Sequence, residues 1–227
     1  AAVAKPASMV LSLVVYYTIA CLIFGYAETP PLSVMDSIYY ITVVMSSVGY
    51  GDITPKTDTT KMLTILMMFV GLIFVFSQVV WAVGLAFVPL AKWLRARLEA
   101  CHPPRTVKVE GLDGHSTEVQ VPSRAILYYT EKLAPVIGLW VALQLVFALL
   151  LCLALRPMTY ALALYHMLMT ATTVGLGDVP IDTDWAKVIV VLHIFASVGT
   201  FSTIVSEASD AAAQRKKMVE RLHLMMR

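Results

Sequence analysis

Apolar residues in this chain fall into long continuous runs rather than into the periodic stripes of a soluble domain. Four runs, of 19 to 27 residues, are long enough to cross a bilayer as helices. They are Ser8–Tyr26, Met62–Val88, Pro135–Leu155 and Ala186–Ser206. Two shorter runs, Ser33–Ser46 and Thr159–Thr172, cannot span. They predict re-entrant helices, whose irregular ends must be buried in protein or line a water-filled path.

Composition agrees with a membrane protein. The chain is 59% apolar and 14% charged, with a mean hydropathy of +0.76. The first run reads as a true span rather than a signal peptide, because its apolar core is long and no small-residue cleavage site is obvious. The three cysteines predict no disulfide framework. The sequence has no initiator Met and leaves open whether it is part of a longer protein.

Basic residues predict the topology. Of the 17 Lys and Arg residues, 12 lie in the segments 92–132 and 215–227. By the positive-inside rule these segments and both termini are cytosolic, and the loops between them open outward. Because the basic residues are explained as topology markers, the net charge of +2 gives no reason to expect nucleic acid as a partner.

A seven-residue motif occurs twice, once after each short run. Ser46–Asp52 reads SSVGYGD and Thr172–Asp178 reads TTVGLGD. The order of span, short helix, motif and span therefore repeats, with both copies facing the membrane the same way, unlike the inverted repeats of many transporters. A pore axis that needs four such motifs requires two chains, so we expect a homodimer with pseudo-four-fold symmetry.

The predicted organisation has four parts. Residues 8–88 and 135–206 are the two repeats, 89–134 form a cytosolic linker, and 207–227 form a basic helical tail. Within the linker, Thr106–Val109 and Glu118–Val121 alternate like strands around a glycine-containing turn, which favours a β-hairpin, although a plain solvated linker remains the alternative. The role of residues 103–125 is open.

The motif suits the binding of a dehydrated cation. Stacked rings of backbone carbonyls can replace the water oxygens around potassium. Such a ladder needs residues of alternating hand, and glycine takes positive φ at little cost. The predicted filter residues are Ser47, Val48, Gly49, Tyr50 and Gly51, and Thr173, Val174, Gly175, Leu176 and Gly177. Val48 and Val174 are expected to face away and pack against the short helix.

With these motifs and spans, the whole chain resembles the two-pore-domain (tandem-pore) potassium channels. The resemblance implies an all-α membrane protein with four transmembrane helices and two re-entrant pore helix–filter loops per chain, dimerising into a leak or background potassium channel. It also assigns supporting roles around the filter. These are bracing aspartates, Asp52 and Asp178, and cuff residues on the pore helices, Tyr39, Tyr40, Tyr165 and His166.

Three departures from the family pattern are visible. Few residues separate Tyr26 from Ser33, so the extracellular cap of the animal members is not expected and the chain is closer to the plant-type members. The residues from Glu207 onward are too few for the calcium-binding EF-hands of many plant members. Ser47 stands where threonine is usual, and the missing methyl leaves its hydroxyl less fixed.

Other residues have two interpretations each. Gly71 and Gly199 are gating hinges or positions of close helix contact. His166 senses pH or packs behind the filter, and His193 is a functional ionisable group or a neutral partner of a neighbouring helix. The tail Arg215–Arg227 binds anionic lipid or a calmodulin-like partner, or is simply the basic end of the last helix.

The expected function is passive, potassium-selective conduction. The alternatives are a less selective cation channel, a secondary transporter and a non-conducting subunit. No catalytic set is visible, so an enzyme is not expected, nor any cofactor besides potassium ions in the filter. The protein is expected to be multi-pass in a lipid membrane, at the cell surface or in an organelle.

Overall fold

The computed structural model describes residues 6–101, 106–110, 116–120 and 125–225. Within these ranges the chain forms seven α-helices, one π-helical segment and two strands. The helices are α1 (Pro6–Tyr26), α2 (Val34–Met45), α3 (Asp58–Val70), α4 (Ser77–Cys101), α5 (Ala125–Ala154), α6 (Tyr160–Ala171) and α7 (Asp184–Met225). The π-helical segment Gly71–Phe76 joins α3 directly to α4.

Four helical stretches are long and apolar enough to cross a membrane. They are Ser8–Tyr26, Asp58–Arg97, Tyr128–Ala154 and Asp184–Glu220. The prediction of an all-α membrane protein with four spans is therefore confirmed. The helices of the second and fourth spans, α4 and α7, continue well past the predicted span ends at Val88 and Ser206. They do so because the basic segments that mark the membrane boundary are themselves helical.

The two short helices begin and end where the sequence pattern indicates. Ser33 caps α2 by accepting a hydrogen bond from the Asp36 N–H at 3.0 Å, and Thr159 caps α6 by accepting one from the Leu162 N–H at 3.3 Å. Such hydroxyl caps satisfy N–H groups that the helix leaves unpaired. Each helix has 12 residues, which is too short to span.

By its internal contacts the chain divides into two units. The first comprises Ala1–Gly84 and Val141–Thr200, and the second comprises Leu85–Trp140 and Phe201–Arg227. The first unit contains both short helices and both motifs. Each unit is described separately below.

The first unit is built around two apolar clusters. One joins the first short helix and first motif to the second repeat, with Tyr39 and Val48 packed among residues such as Met167 and Ile194. The other cluster surrounds Tyr16 of α1 and includes side chains of α2 and α3. Because lipid is as apolar as these side chains, close packing rather than escape from water holds such helices together.

Gly71 allows the closest helix contact of this second cluster. A Cβ atom there would lie 2.2 Å from the Tyr16 hydroxyl oxygen and 2.9 Å from the Met45 Cβ. The Tyr16 hydroxyl donates to the Met67 carbonyl at 2.8 Å, one turn before the π-helical segment starts. Gly199 is similar, since a Cβ there would lie 2.9 Å from Val83 Cγ1. Both contacts favour the close-contact interpretation, while a hinge role stays a prediction.

In the second unit, Arg95 connects three helices. Its Nη2 atom donates to the Lys132 carbonyl at 3.1 Å and to Glu207 Oε2 at 2.8 Å, joining α4 to α5 and α7. The strands β1 (Thr106–Glu110) and β2 (Ser116–Gln120) pair antiparallel, with Val107 opposite Val119. The predicted turn at 111–114, together with Val121 and Arg227, lies outside the described residues.

Replacing Gly71 with alanine is expected to destabilise the protein by about 1–3 kcal/mol, because the new methyl group overpacks against Tyr16. The measurement is the thermal unfolding midpoint in detergent. Gly84→Ala is the matched control, since nothing lies within 4 Å of a Cβ at that helical position. A Gly71→Ala midpoint equal to that of the control would show that this contact is loose.

Candidate functional site

The backbone of both motifs alternates in hand. Positive φ angles occur at every second residue, at Ser47 (61°), Gly49 (60°), Gly51 (77°), Thr173 (56°), Gly175 (52°) and Gly177 (68°). Alternation of this kind points successive carbonyl groups to one side of an extended segment. The sequence pattern identified the four glycines, but it missed the two hydroxyl residues, whose left-handed backbone costs roughly 1–2 kcal/mol each.

Several N–H groups of the motifs donate to carbonyls of the preceding short helices. The Ser47 and Gly49 N–H groups donate to the Val44 and Val43 carbonyls at 3.1 and 3.2 Å. In the second repeat the N–H groups of Val174 and Gly175 both donate to the Met169 carbonyl, at 3.0 and 3.2 Å. The last carbonyls of these helices thus gain the hydrogen-bond donors that a helix C-terminus otherwise lacks.

The two motifs lie side by side in one chain. A Cβ at Gly175 would lie 1.9 Å from the Val48 carbonyl oxygen, and one at Gly177 would lie 2.1 Å from the Tyr50 carbonyl oxygen. These two positions therefore need glycine for space as well as for φ. The matching glycines of the first motif, Gly49 and Gly51, have nothing within 4 Å of a Cβ. One edge of the first motif is consequently open.

Side chains of the two motifs differ in burial. Val48 and Tyr50 are 3% and 7% exposed. Tyr50 stacks on His166 with 5.1 Å between ring centroids, and its hydroxyl bonds to Thr170. Val174 and Leu176 are 54% and 56% exposed, so within a single chain Val174 does not pack as Val48 does.

Each motif ends in an aspartate that accepts a hydrogen bond from a tyrosine of its own short helix. The Tyr39 hydroxyl donates to Asp52 Oδ2 at 2.7 Å, and the Tyr165 hydroxyl donates to Asp178 Oδ2 at 2.9 Å. The residues of both pairs are 13 apart in sequence. We call this end of each motif its aspartate end. The structure thus pairs each aspartate with one tyrosine. Of the four tyrosine and histidine residues singled out from the sequence, Tyr39 and Tyr165 make these contacts.

The remaining candidate residues occupy different surroundings. His166 is buried behind Tyr50. Tyr40 instead packs on Phe24, with centroids 5.0 Å apart, and its hydroxyl lies 3.0 Å from that of Thr64. His193 Nε2 lies 2.6 Å from Gln144 Oε1, which is the arrangement expected of a histidine that hydrogen-bonds to a neighbouring helix.

Three polar contacts of the site were not identified from the sequence. Thr170 reaches Tyr50 from the second short helix. Lys187 in the first turn of α7 pairs with Asp36 in the first turn of α2. Burial raises the pKa of Asp36, but the hydrogen bonds from Lys187 and Ser33 outweigh burial and leave that pKa below its ordinary value. The third contact is made by the Glu28 carboxylate, which accepts from the Thr29 and Lys56 N–H groups.

Comparison with known proteins identifies the class. A family model described as "Ion channel" matches residues 9–86 and 136–214, which are the two repeats. The chain therefore belongs to this ion channel family, and it is an integral multi-pass membrane protein rather than an enzyme.

Relatives at low identity cover most of this chain. Two pore potassium channel a from Oryza sativa subsp. japonica is 25% identical over 197 residues, covering 82% of this chain and 52% of the relative. TWiK family of potassium channels protein 18 from Caenorhabditis elegans is 26% identical over 198 residues, covering 81% and 43%. Two-pore potassium channel 4 from Arabidopsis thaliana is 50% identical over 40 residues, covering 18% and 14%. The chain spans about half the length of the curated relatives that it matches most fully.

Removing the Tyr39 hydroxyl is expected to lower the free energy of unfolding by about 1.5–3 kcal/mol, the range for a lost hydrogen bond to a charged group. Tyr165→Phe is expected to have a smaller effect, because the Tyr165–Asp178 bond is exposed. Tyr26→Phe, at an exposed position, is the control. Thermal midpoints of the three variants in potassium solution provide the measurement, and equal midpoints would contradict the bracing of Asp52.

Proposed function

We propose that this chain conducts potassium ions passively through a filter of backbone carbonyls contributed by Ser47–Gly51 and Thr173–Gly177. The observation that carries the proposal is the alternation of backbone hand in both motifs. Several motif N–H groups donate to the short helices, which holds each motif against its helix, and the motif carbonyls would replace the hydration shell of a cation. Potassium is the ion named by the relatives on which this choice draws.

The short helices support the same role. Both α2 and α6 end directly before a motif, so their carbonyl ends lie at its start. The C-terminus of a helix carries roughly half a negative charge, which favours a cation nearby. The helices therefore act as pore helices, supplying negative potential without placing a fixed carboxylate in the ion path.

We propose further that two chains form the pore. Gly175 and Gly177 pack against the first motif, whereas the equivalent edge at Gly49 and Gly51 is open. A second copy of the chain would place its second motif against this edge. The half-exposed Val174 and Leu176 would then be covered by the α2 helix of the partner, as Val48 and Tyr50 are covered by α6. Two such contacts close a ring of four motifs.

The tail Arg215–Arg227 is proposed to bind anionic lipid or a calmodulin-like partner. The support is its charge, with three consecutive basic residues at Arg215, Lys216 and Lys217 on the helix α7. Each basic residue near an anionic surface is worth about 1 kcal/mol of attraction. Plain solvation of this helix end is the competing outcome.

Flux through reconstituted protein tests the conduction proposal. Potassium-loaded liposomes are expected to release potassium into sodium medium, and barium is expected to block the release. Equal sodium flux would indicate the less selective cation channel. Flux that requires a second, coupled ion gradient would indicate a transporter instead.

Gly175→Ala and Gly49→Ala are each expected to abolish selective potassium flux. The first places a methyl group on the Val48 carbonyl oxygen, and both force alanine to positive φ, which disrupts the ladder. Gly84→Ala, with open space around its Cβ, is the control and is expected to conduct normally. Persistent potassium selectivity in both filter variants would overturn the filter assignment.

The dimer proposal predicts a particle of twice the chain mass of 24.9 kDa. Native mass spectrometry from detergent, which counts chains directly, is the measurement. Covering Val174 and Leu176 also predicts that a cysteine at position 176 reacts more slowly with a thiol reagent in the dimer than in dissociated chains. A monomer that conducts potassium selectively would refute the two-chain filter.

A further inference from the structure

We propose that Glu28 is a positioning residue that fixes the segment leaving the aspartate end of the first motif, and so helps set ion selectivity. The inference rests on the proposed conduction of potassium through this motif. Glu28 lies in the short link between α1 and α2. It is a carboxylate only 5% exposed.

Two backbone N–H groups converge on the Glu28 carboxylate. Its Oε1 atom accepts from the Thr29 N–H at 3.0 Å and from the Lys56 N–H at 3.1 Å, and its Oε2 atom lies 3.3 Å from the same Lys56 nitrogen. The group thus ties the end of α1 to the start of α3, across a sequence separation of 28 residues at Lys56.

The local electrostatics favour the ionised carboxylate. Burial raises the pKa of Glu28, but the polar groups of Thr60, Thr29 and Lys56 around the carboxylate outweigh burial, and the pKa lies below its ordinary value. Lys56 directly precedes Thr57, the N-cap of α3, so the carboxylate sits at the positive end of that helix. A charged acceptor holds N–H donors about twice as strongly as a neutral one.

With Glu28 in place, the segment after the first motif is held at both ends. Tyr39 holds Asp52 at one end, and Glu28 holds the Lys56 N–H at the other. Only four residue steps separate Asp52 from Lys56. Movement of this segment would shift Asp52 and the carbonyl of Gly51 beside it. Glu28 therefore acts on the filter through the backbone, without touching the ion.

The second repeat has no counterpart of the Glu28–Lys56 contact. The motif aspartates are 126 residues apart (178 − 52), so Glu28 and Lys56 correspond to Ala154 and Asp182. No acidic residue occurs in the sequence between Glu131 and Asp178. The two motifs of one chain are consequently held unequally at their aspartate ends, and the Glu28 contact belongs to the first motif only.

The test compares Glu28→Ala, Glu28→Gln and Asp182→Asn in liposomes under mixed potassium and sodium gradients. Glu28→Ala is expected to lower the potassium-to-sodium selectivity ratio about tenfold, through loss of hydrogen bonds to a charged group. Glu28→Gln keeps the side-chain shape and one acceptor oxygen, so its loss is expected to be smaller. Asp182→Asn removes an exposed acid at the position matching Lys56 and is expected to match the wild type.

A second readout separates positioning from general stability. The thermal midpoint is measured for each variant in potassium and in N-methylglucamine, and the difference reports ion binding by the filter. A purely structural role for Glu28 would lower both midpoints equally. A positioning role reduces the potassium-dependent difference in Glu28→Gln, the variant that carries the test if Glu28→Ala does not fold.

The outcomes distinguish this inference from the proposed function. If the wild type shows neither selective flux nor stabilisation by potassium, the proposed function fails. If the wild type shows both, and the Glu28 variants keep the selectivity and the potassium-dependent difference of Asp182→Asn, the positioning role of Glu28 is refuted while the filter stands.

Discussion

Hydrogen bonding of the motif N–H groups to the ends of the short helices is the constraint on which the site depends. A backbone N–H at membrane depth must have a partner, and the carbonyls that close α2 and α6 supply it. The alternation of positive φ along each motif then turns successive motif carbonyls to one side of the segment. The glycines beside Val48 and Tyr50 have a separate cause, which is the close approach of the two motifs.

The two repeats share this backbone scheme but surround it with different chemistry. Each has the tyrosine–aspartate pair with the same spacing. Around it, the first repeat adds Glu28, while in the second His166 and Thr170 receive the side chain of Tyr50. A duplicated unit whose copies pack against each other is under no requirement to stay identical. In our proposal the pair of motifs, rather than either motif alone, is therefore the functional element of the chain.

Local patterns in the sequence predicted the helices and the motifs, because the physics that sets them is local. Bilayer thickness fixes the span length, and glycine spacing marks the ladder. The contacts that escaped prediction join residues far apart: Glu28 to Lys56 over 28 residues, Tyr50 to Thr170 over 120, and Asp36 to Lys187 over 151. An isolated glutamate or lysine near a span end gives no sign of its partner until helix packing brings the two together.

Unequal exposure of equivalent side chains is the strongest physical link between this chain and its assembly. Val48 and Val174 occupy the same place in the motif, yet one is buried and the other is half-exposed. Intrinsic preference cannot explain this difference, since the residues are identical and the local backbone is nearly so. The difference comes from a neighbour that is present for the first motif and belongs, in our proposal, to a second chain for the other. By the same reasoning, we expect a close neighbour at Gly49 only in the dimer. The φ of Gly49, 60°, is close to the 52° of Gly175, the residue that makes the equivalent contact within one chain.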